Sequence, residues 1–328
     1  MHFIGCDVSK ITLDLAGRRP GHRPSFKARK VANTRRGWGD LMRWAQQQCG
    51  ADPEQICVVL EATGVYHLKA AGYLASAGLK VLVVNPGRAA QFAKSINQVN
   101  KNDGLDARSL QRYGEQLDAP HWFMPDTKDI SQLKALLSRL AQLEKDRQRE
   151  RNRLESCAYT EGGDILKASL RRSIRRLAQD AQQIQQTIDQ LIQGDPALQR
   201  HRQLLCSIKG IGPQASQWLL PLLHGQRFHS GREVAAFLGL TPCHRESGSS
   251  LKTRGKLSGR GNATLRARLY MPALSAIQHS PEMQAFYQLL LDRGKTKKQA
   301  IVAVMRKLVH VCYGVINTQT PYLENYAA

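Results

Sequence analysis

From His2 to Val8 the chain is a short apolar run, residues 12–16 alternate, and residues 26–31 repeat the strand pattern before Asn33. Three consecutive strands follow from that periodicity. A helix with Trp38, Leu41, Met42 and Trp44 comes next, and the continuous apolar run 56–60 makes a buried strand that leads into Glu61. Another helix spans about 66–77 and is stopped by Gly78; residues 80–84 form a buried strand closed by Asn85-Pro86. A run of strands, then strands alternating with helices, predicts an α/β domain over residues 1–124 with a mixed sheet covered by helices.

The pattern then turns helical. Leu133, Leu136, Leu140 and Leu143 are spaced 3, 4 and 3; after a break at Gly162-Gly163, Leu177, Ala181, Ile184, Ile188 and Leu191 are spaced 4, 3, 4 and 3. Heptad spacing predicts a coiled-coil segment over 125–196, either an antiparallel hairpin or a pairing with another subunit. Core packing within one chain explains the spacing equally well. Asp195-Pro196 ends the segment, and 197–328 is an all-α domain. Within it, residues 207–213 sit between two helices like a helix-hairpin-helix turn. There Gly210 and Gly212, beside Lys209, would let backbone N–H groups approach a phosphate. Any tight turn between helices would look the same.

Composition adds a partner. The 328 residues, room for about two domains, carry 48 Lys and Arg against 26 Asp and Glu, a net charge of +22. The excess is +13 in residues 200–328, and residues 247–281 contain no acid while holding Lys252, Arg254, Lys256, Arg260, Arg266 and Arg268. With Arg245 just before them, these cations suit a polyanion, since each one placed on a phosphate releases condensed counterions. A solvated basic face is the plainer alternative. No apolar run reaches the ~18 residues of a membrane span, and the first residues lack the pattern of a signal peptide, so a cytoplasmic protein is expected. The seven cysteines have no zinc-type spacing and read as small buried hydrophobes.

The candidate chemistry lies in four acids. Asp7 sits on the first strand in Gly5-Cys6-Asp7-Val8-Ser9-Lys10, Glu61 ends the fourth, and Asp103 and Asp106 are spaced i, i+3, on one helical face. Four carboxylates converging on one sheet edge would repel unless cations neutralised them. Two Mg²⁺ ions held by such hard oxygen ligands would activate a nucleophile and stabilise the leaving oxygen of a phosphodiester. Each acid also has a local explanation, such as helix capping by Asp103 with Asp106.

The order of these acids resembles RuvC-type resolvases of the ribonuclease-H-like fold. Residues 3–10, Glu61-Ala62-Thr63-Gly64-Val65-Tyr66, Asn85-Pro86, and Asn100-Lys101 with Asp103 and Asp106-Ala107-Arg108 resemble, more closely, the DEDD insertion-sequence transposases related to the Piv invertase. Residues 208–212, 237–242, Glu246-Ser247-Gly248-Ser249-Ser250 and 270–273 carry the likeness through the third segment, so it covers nearly the whole chain. The resemblance implies a recombinase that exchanges DNA strands, guided by a structured bridge RNA pairing with donor and target DNA. It implies Asp7, Glu61, Asp103 and Asp106 as Mg²⁺ ligands, Ser247 as nucleophile, and a homo-oligomer, dimeric or tetrameric. Cys6 and Cys243 depart from residues common in the family. Without the resemblance nothing local separates Ser247 from Ser249 or Ser250, and the segment reads as a turn.

Three rivals use the same residues differently. A RuvC-like nuclease or metal-only transposase would use water or a 3′-hydroxyl in place of the serine. A sugar-kinase or actin-like ATPase would share Gly5-x-Asp7-x-Ser9, but no second glycine-rich loop is present and the basic third has no use in it. A non-catalytic nucleic-acid binder leaves the four ordered acids unexplained.

Overall fold

The computed structural model describes residues 1–18, 26–62, 64–96, 103–117, 121–225, 228–243, 246–247, 251–252, 256–257 and 261–323, with backbone alone at 103, 243, 246–247, 251–252 and 256. The chain divides into two compact units, Met1–Pro125 and Asp126–Ala328.

In the first unit the order is β1 (His2–Val8), β2 (Thr12–Arg18), β3 (Phe26–Ala32), α1 (Arg35–Cys49), β4 (Ile56–Glu61), α2 (His67–Ser76), β5 (Lys80–Val84), α3 (Pro86–Ser95) and α4 (Asp103–Glu115). The five strands form one sheet in the order β3-β2-β1-β4-β5. Strand β2 runs antiparallel to both β1 and β3, while β4 runs parallel to both β1 and β5, so the sheet is mixed as the strand pattern predicts.

Alternation along the strands divides the core in two. Ile4, Cys6, Val8, Leu13, Leu15, Val58 and Leu60 pack with Leu41 and Trp44 of α1 and Ala70 and Leu74 of α2. Cys57, Val59, Leu82 and Val84 point to the other face and meet Ala89 of α3 and Leu110 of α4. Helix α1 begins where Thr34 accepts a hydrogen bond from the Gly37 N–H, and ends at Gly50, which is left-handed with φ 58°. Asn85-Pro86 does more than close β5. Asn85 accepts from the Gly87 N–H and Pro86 fills the first helical position, so the pair starts α3, a helix absent from the sequence-based expectation.

The second unit is helical: α5 (Lys128–Ser156), α6 (Asp164–Gly194), α7 (Pro196–Cys206), α8 (Pro213–Leu223), α9 (Gly231–Phe237), then after four two-residue strands α10 (Ala263–Arg268), α11 (Tyr270–His279), α12 (Pro281–Asp292) and α13 (Lys297–Thr318). Helices α5 and α6 pack along one another, and their buried residues join a core that continues through to Ile316 of α13. The buried stripe of α5 is Ile130, Leu133, Leu137, Leu140 and Leu143, with Leu136 only half-buried. On α6, Ala181, Ile188 and Ile192 are buried while Leu177, Ile184 and Leu191 lie at the margin. The heptad positions Leu133, Leu140, Leu143, Ala181 and Ile188 are thus buried as read in the sequence, while Leu137 and Ile192 widen the seam by one residue beside Leu136 and Leu191.

Helix α13 is long and apolar enough to cross a membrane. Nine of its residues, Val304, Leu308 and Cys312 among them, are buried in the helical core, which accounts for its apolar character. Cys6, Cys49, Cys57, Cys157 and Cys312 are free and buried. Burial pushes the Cys57 and Cys312 thiols up to about 12, as expected of structural cysteines.

Candidate active site

Parallel pairing of β1 with β4 ends at Cys6 opposite Leu60. The next residues along the two strands are Asp7 and Glu61, so both reach the same sheet edge. Strand alternation places them on the face covered by α3 and α4. Close backbone approach fixes where α4 lies. A Cβ on Gly5 would stand 1.8 Å from the Ala107 carbonyl oxygen, and one on Gly114 would stand 2.6 Å from the Phe3 ring. From Phe3 to Gly5 along β1 the contacts move from Gly114 back to Ala107 along α4. Two residues further on β1 is Asp7; the turn of α4 before Ala107 holds Asp103 and Asp106. Glu61 and Asp106 line one cleft of about 100 Å³ with Pro86, Ala89, Ser109 and Tyr113. Asp7, Glu61 and Asp106 are each half-buried, and Asp7 Oδ1 accepts the Val8 N–H at 2.9 Å. The Cys6 thiol beside them is pushed well up, first by burial and then by the negative charges of Asp7 and Asp14. For Asp103 the described backbone opens α4.

Ser247 belongs to the second unit. It lies in β7 (Glu246–Ser247), paired antiparallel with β8 (Leu251–Lys252), inside a pair formed by β6 (Pro242–Cys243) and β9 (Lys256–Leu257). The serine therefore sits within nested hairpins, with Lys252 opposite Glu246 and Lys256 opposite Cys243. Arg245, Arg254 and Arg260 lie outside the described residues. Lys209 and Gly212 are exposed in the turn between α7 and α8. Gly210 has φ 94°, and a Cβ there would come within 2.5 Å of the Pro272 carbonyl oxygen, so packing on α11 already demands a glycine. Arg266 donates to the Leu238 carbonyl at 3.0 Å; Arg268 stacks over Trp218 at 4.5 Å and pairs with Glu144. Both guanidinium groups tie the helical unit together.

One basic feature escaped the sequence reading. Lys295, Lys298 and Arg306 line a cleft of about 620 Å³ with Pro242 and Leu257, the residues paired at the base of the hairpins. Only the run Lys295-Thr296-Lys297-Lys298 hinted at it, and that run looks like any solvated helix start.

Two family models match the chain: the DEDD-type IS110 transposase model over residues 4–159 and the transposase IS116/IS110/IS902 family over residues 202–288. The chain is 32% identical to the pilin gene-inverting protein of Moraxella bovis, across 98% of this chain and 97% of that relative. The chain belongs to the IS110 family of transposases. The pilin gene-inverting protein of Moraxella lacunata is 31% identical over the same shares, and the putative transposase y4pF/y4sB of Sinorhizobium fredii is 28% identical over 98% of this chain and 85% of that protein.

For an IS110-family transposase the donor chemistry at the acid edge is informative. Asp7, Glu61 and Asp106 offer only carboxylate oxygens, which suit a hard divalent cation with water completing its shell rather than zinc. Among the described residues no three His, Cys, Asp or Glu side chains form a ready-made metal cluster. The side chain of Asp103 is not one of them. A further acid was overlooked in the sequence. Asp14 stands directly opposite Asp7 across the β1–β2 pair, and Lys30 on β3 holds it at 3.2 Å. The polar position in Leu13-Asp14-Leu15 was visible, but only the hairpin register makes it Asp7's neighbour.

Proposed function

We propose that this IS110-family transposase cuts and exchanges DNA strands at the acid edge of a ribonuclease-H-like sheet, with Ser247 as nucleophile and a structured bridge RNA selecting donor and target DNA. The observation that carries the reading is that Asp7 and Glu61 follow the last paired residues of neighbouring parallel strands, and that Glu61 shares a cleft with Asp106 of α4. Asp7, Glu61, Asp103 and Asp106 would hold Mg²⁺, two ions in this reading, and the metal would supply charge stabilisation at the phosphate and at the departing oxygen. Close approach at Gly5 and Gly114 holds α4 against β1, which would keep Asp106 in place before substrate arrives.

Ser247 Oγ attacks phosphorus, forming a serine–phosphate bond as the bond to the 3′-oxygen breaks. The products are a 5′-phosphoserine and a free 3′-hydroxyl. One phosphate ester replaces another, so a 3′-hydroxyl from the second duplex can reverse the step without ATP. Acids and serine belong to different units of the chain, and we infer that in the homo-oligomer the serine of one subunit serves the acids of another.

The test is strand exchange between two labelled duplexes, assayed with and without the RNA that co-purifies with the protein. Exchange should need both that RNA and a divalent metal. Exchange by RNA-free protein would contradict guidance.

Nucleic acid reaching Ser247 would cross the cleft at the base of its hairpins, where Lys295, Lys298 and Arg306 can meet phosphates. Replacing all three with Glu should flatten the log–log salt dependence of duplex binding by about 3, from roughly −0.9 per phosphate contact. An unchanged slope would take the strand elsewhere.

A further inference from the structure

We propose that the Asp14–Lys30 ion pair sets how tightly the acid edge holds its divalent cation, Asp14 strengthening the hold through Asp7 and Lys30 restraining it. The inference rests on the metal-binding role proposed for Asp7. Asp7, Asp14 and Lys30 form one row across three strands, Asp7 opposite Asp14 on β1–β2 and Asp14 opposite Lys30 on β2–β3. Residues directly opposite in a sheet share a face with Cβ atoms roughly 4.5–5.5 Å apart, and like charges so placed destabilise the pair. Asp14 is thus costly where it stands unless something draws on its charge. Lys30, 3.2 Å away, offsets part of that cost.

The two partners are not equivalent. The Asp14 side chain is 17% exposed and the Lys30 side chain 56% exposed, so water screens the lysine more than the acid. Lys30 is also a strand further from Asp7. A divalent cation at Asp7 therefore feels a net negative field from the pair. At roughly 6 Å even water-like screening makes one carboxylate charge worth about tenfold in the affinity of a divalent ion. Asp14 is a positioning residue in this scheme: it acts on the cation through the field at Asp7 and is not itself a ligand.

The probe is Mn²⁺, titrated into the full chain freed of nucleic acid, with free Mn²⁺ read by electron paramagnetic resonance. Asp106→Asn defines the binding that belongs to the site. Asp14→Asn should weaken that binding about tenfold, Lys30→Met should tighten it about threefold, and Lys30→Arg should leave it near the parent value. A merely structural pair would move both neutral variants in the same direction. Equal affinities, or weakening in both, overturn the proposal, as does a loss in Asp14→Asn as complete as in Asp106→Asn, which would make Asp14 a ligand. If Asp14→Asn fails to fold, Lys30→Met decides alone: affinity that does not rise overturns it. Absence of any Asp106-dependent Mn²⁺ in the parent chain would sink the metal site itself, and this proposal with it; normal parent binding with unshifted variants sinks only the pair's role.

Discussion

Asp106→Asn should lose strand cleavage by at least about a thousandfold while the chain still folds and binds nucleic acid. Asp106 lines the same cleft as Glu61, one residue before the point where α4 backs onto Gly5. Asn keeps the size of the side chain and removes the charge that holds a cation. Metal ions contribute several kcal/mol of charge stabilisation in phosphoryl chemistry, and about 4 kcal/mol corresponds to a thousandfold in rate. The fold should survive because Ala107, Leu110 and Gly114 dock α4 on the sheet. Cleavage of a labelled duplex and far-UV circular dichroism check the two halves of the expectation, and wild-type cleavage by Asp106→Asn would remove it from the site.

Ser247→Ala should leave no covalent protein–DNA adduct and no recombinant product. A hydroxyl on the short β7–β8 hairpin is the proposed attacking group, and alanine leaves nothing to esterify. Ser249→Ala and Ser250→Ala should both retain adduct, which separates the three serines as local sequence could not. Mixing Asp7→Ala chains with Ser247→Ala chains should restore some adduct, since a mixed oligomer can pair one intact set of acids with one intact serine. If every serine works on its own chain's acids, mixing restores nothing. Recombination by Ser247→Ala would favour the rival in which water or a 3′-hydroxyl attacks.

The local pattern carried the strands and most helices because each strand of the first unit alternates or runs apolar over its own length. His2 to Val8 and Lys80 to Val84 were readable end to end. Asn85-Pro86 was not, since the same dipeptide closes a strand and opens a helix, and only the capping bond from the Gly87 N–H distinguishes the two. Features set by distant partners were also illegible. Leu137 rather than Leu136 is buried on α5 because helices remote in sequence share that seam. Gly210 looked like a phosphate-facing glycine, yet α11, some sixty residues later, already requires it. Arg266 and Arg268 stood out as cations without showing that Leu238, Trp218 and Glu144 engage them. The acids of the site were findable individually, at strand ends and on a helical face. The proposed meeting of these acids depends on the parallel pairing of β1 with β4 and on glycines that let α4 sit down on β1.

The most direct test of that meeting is anomalous diffraction from crystals of the full chain grown with Mn²⁺. An anomalous peak is expected at the end of β1 and β4, within bonding distance of carboxylate oxygens from Asp7, Glu61 and α4, and it should be lost in Asp106→Asn crystals. Mn²⁺ bound only elsewhere on the chain, with that edge empty at saturating concentration, would contradict it.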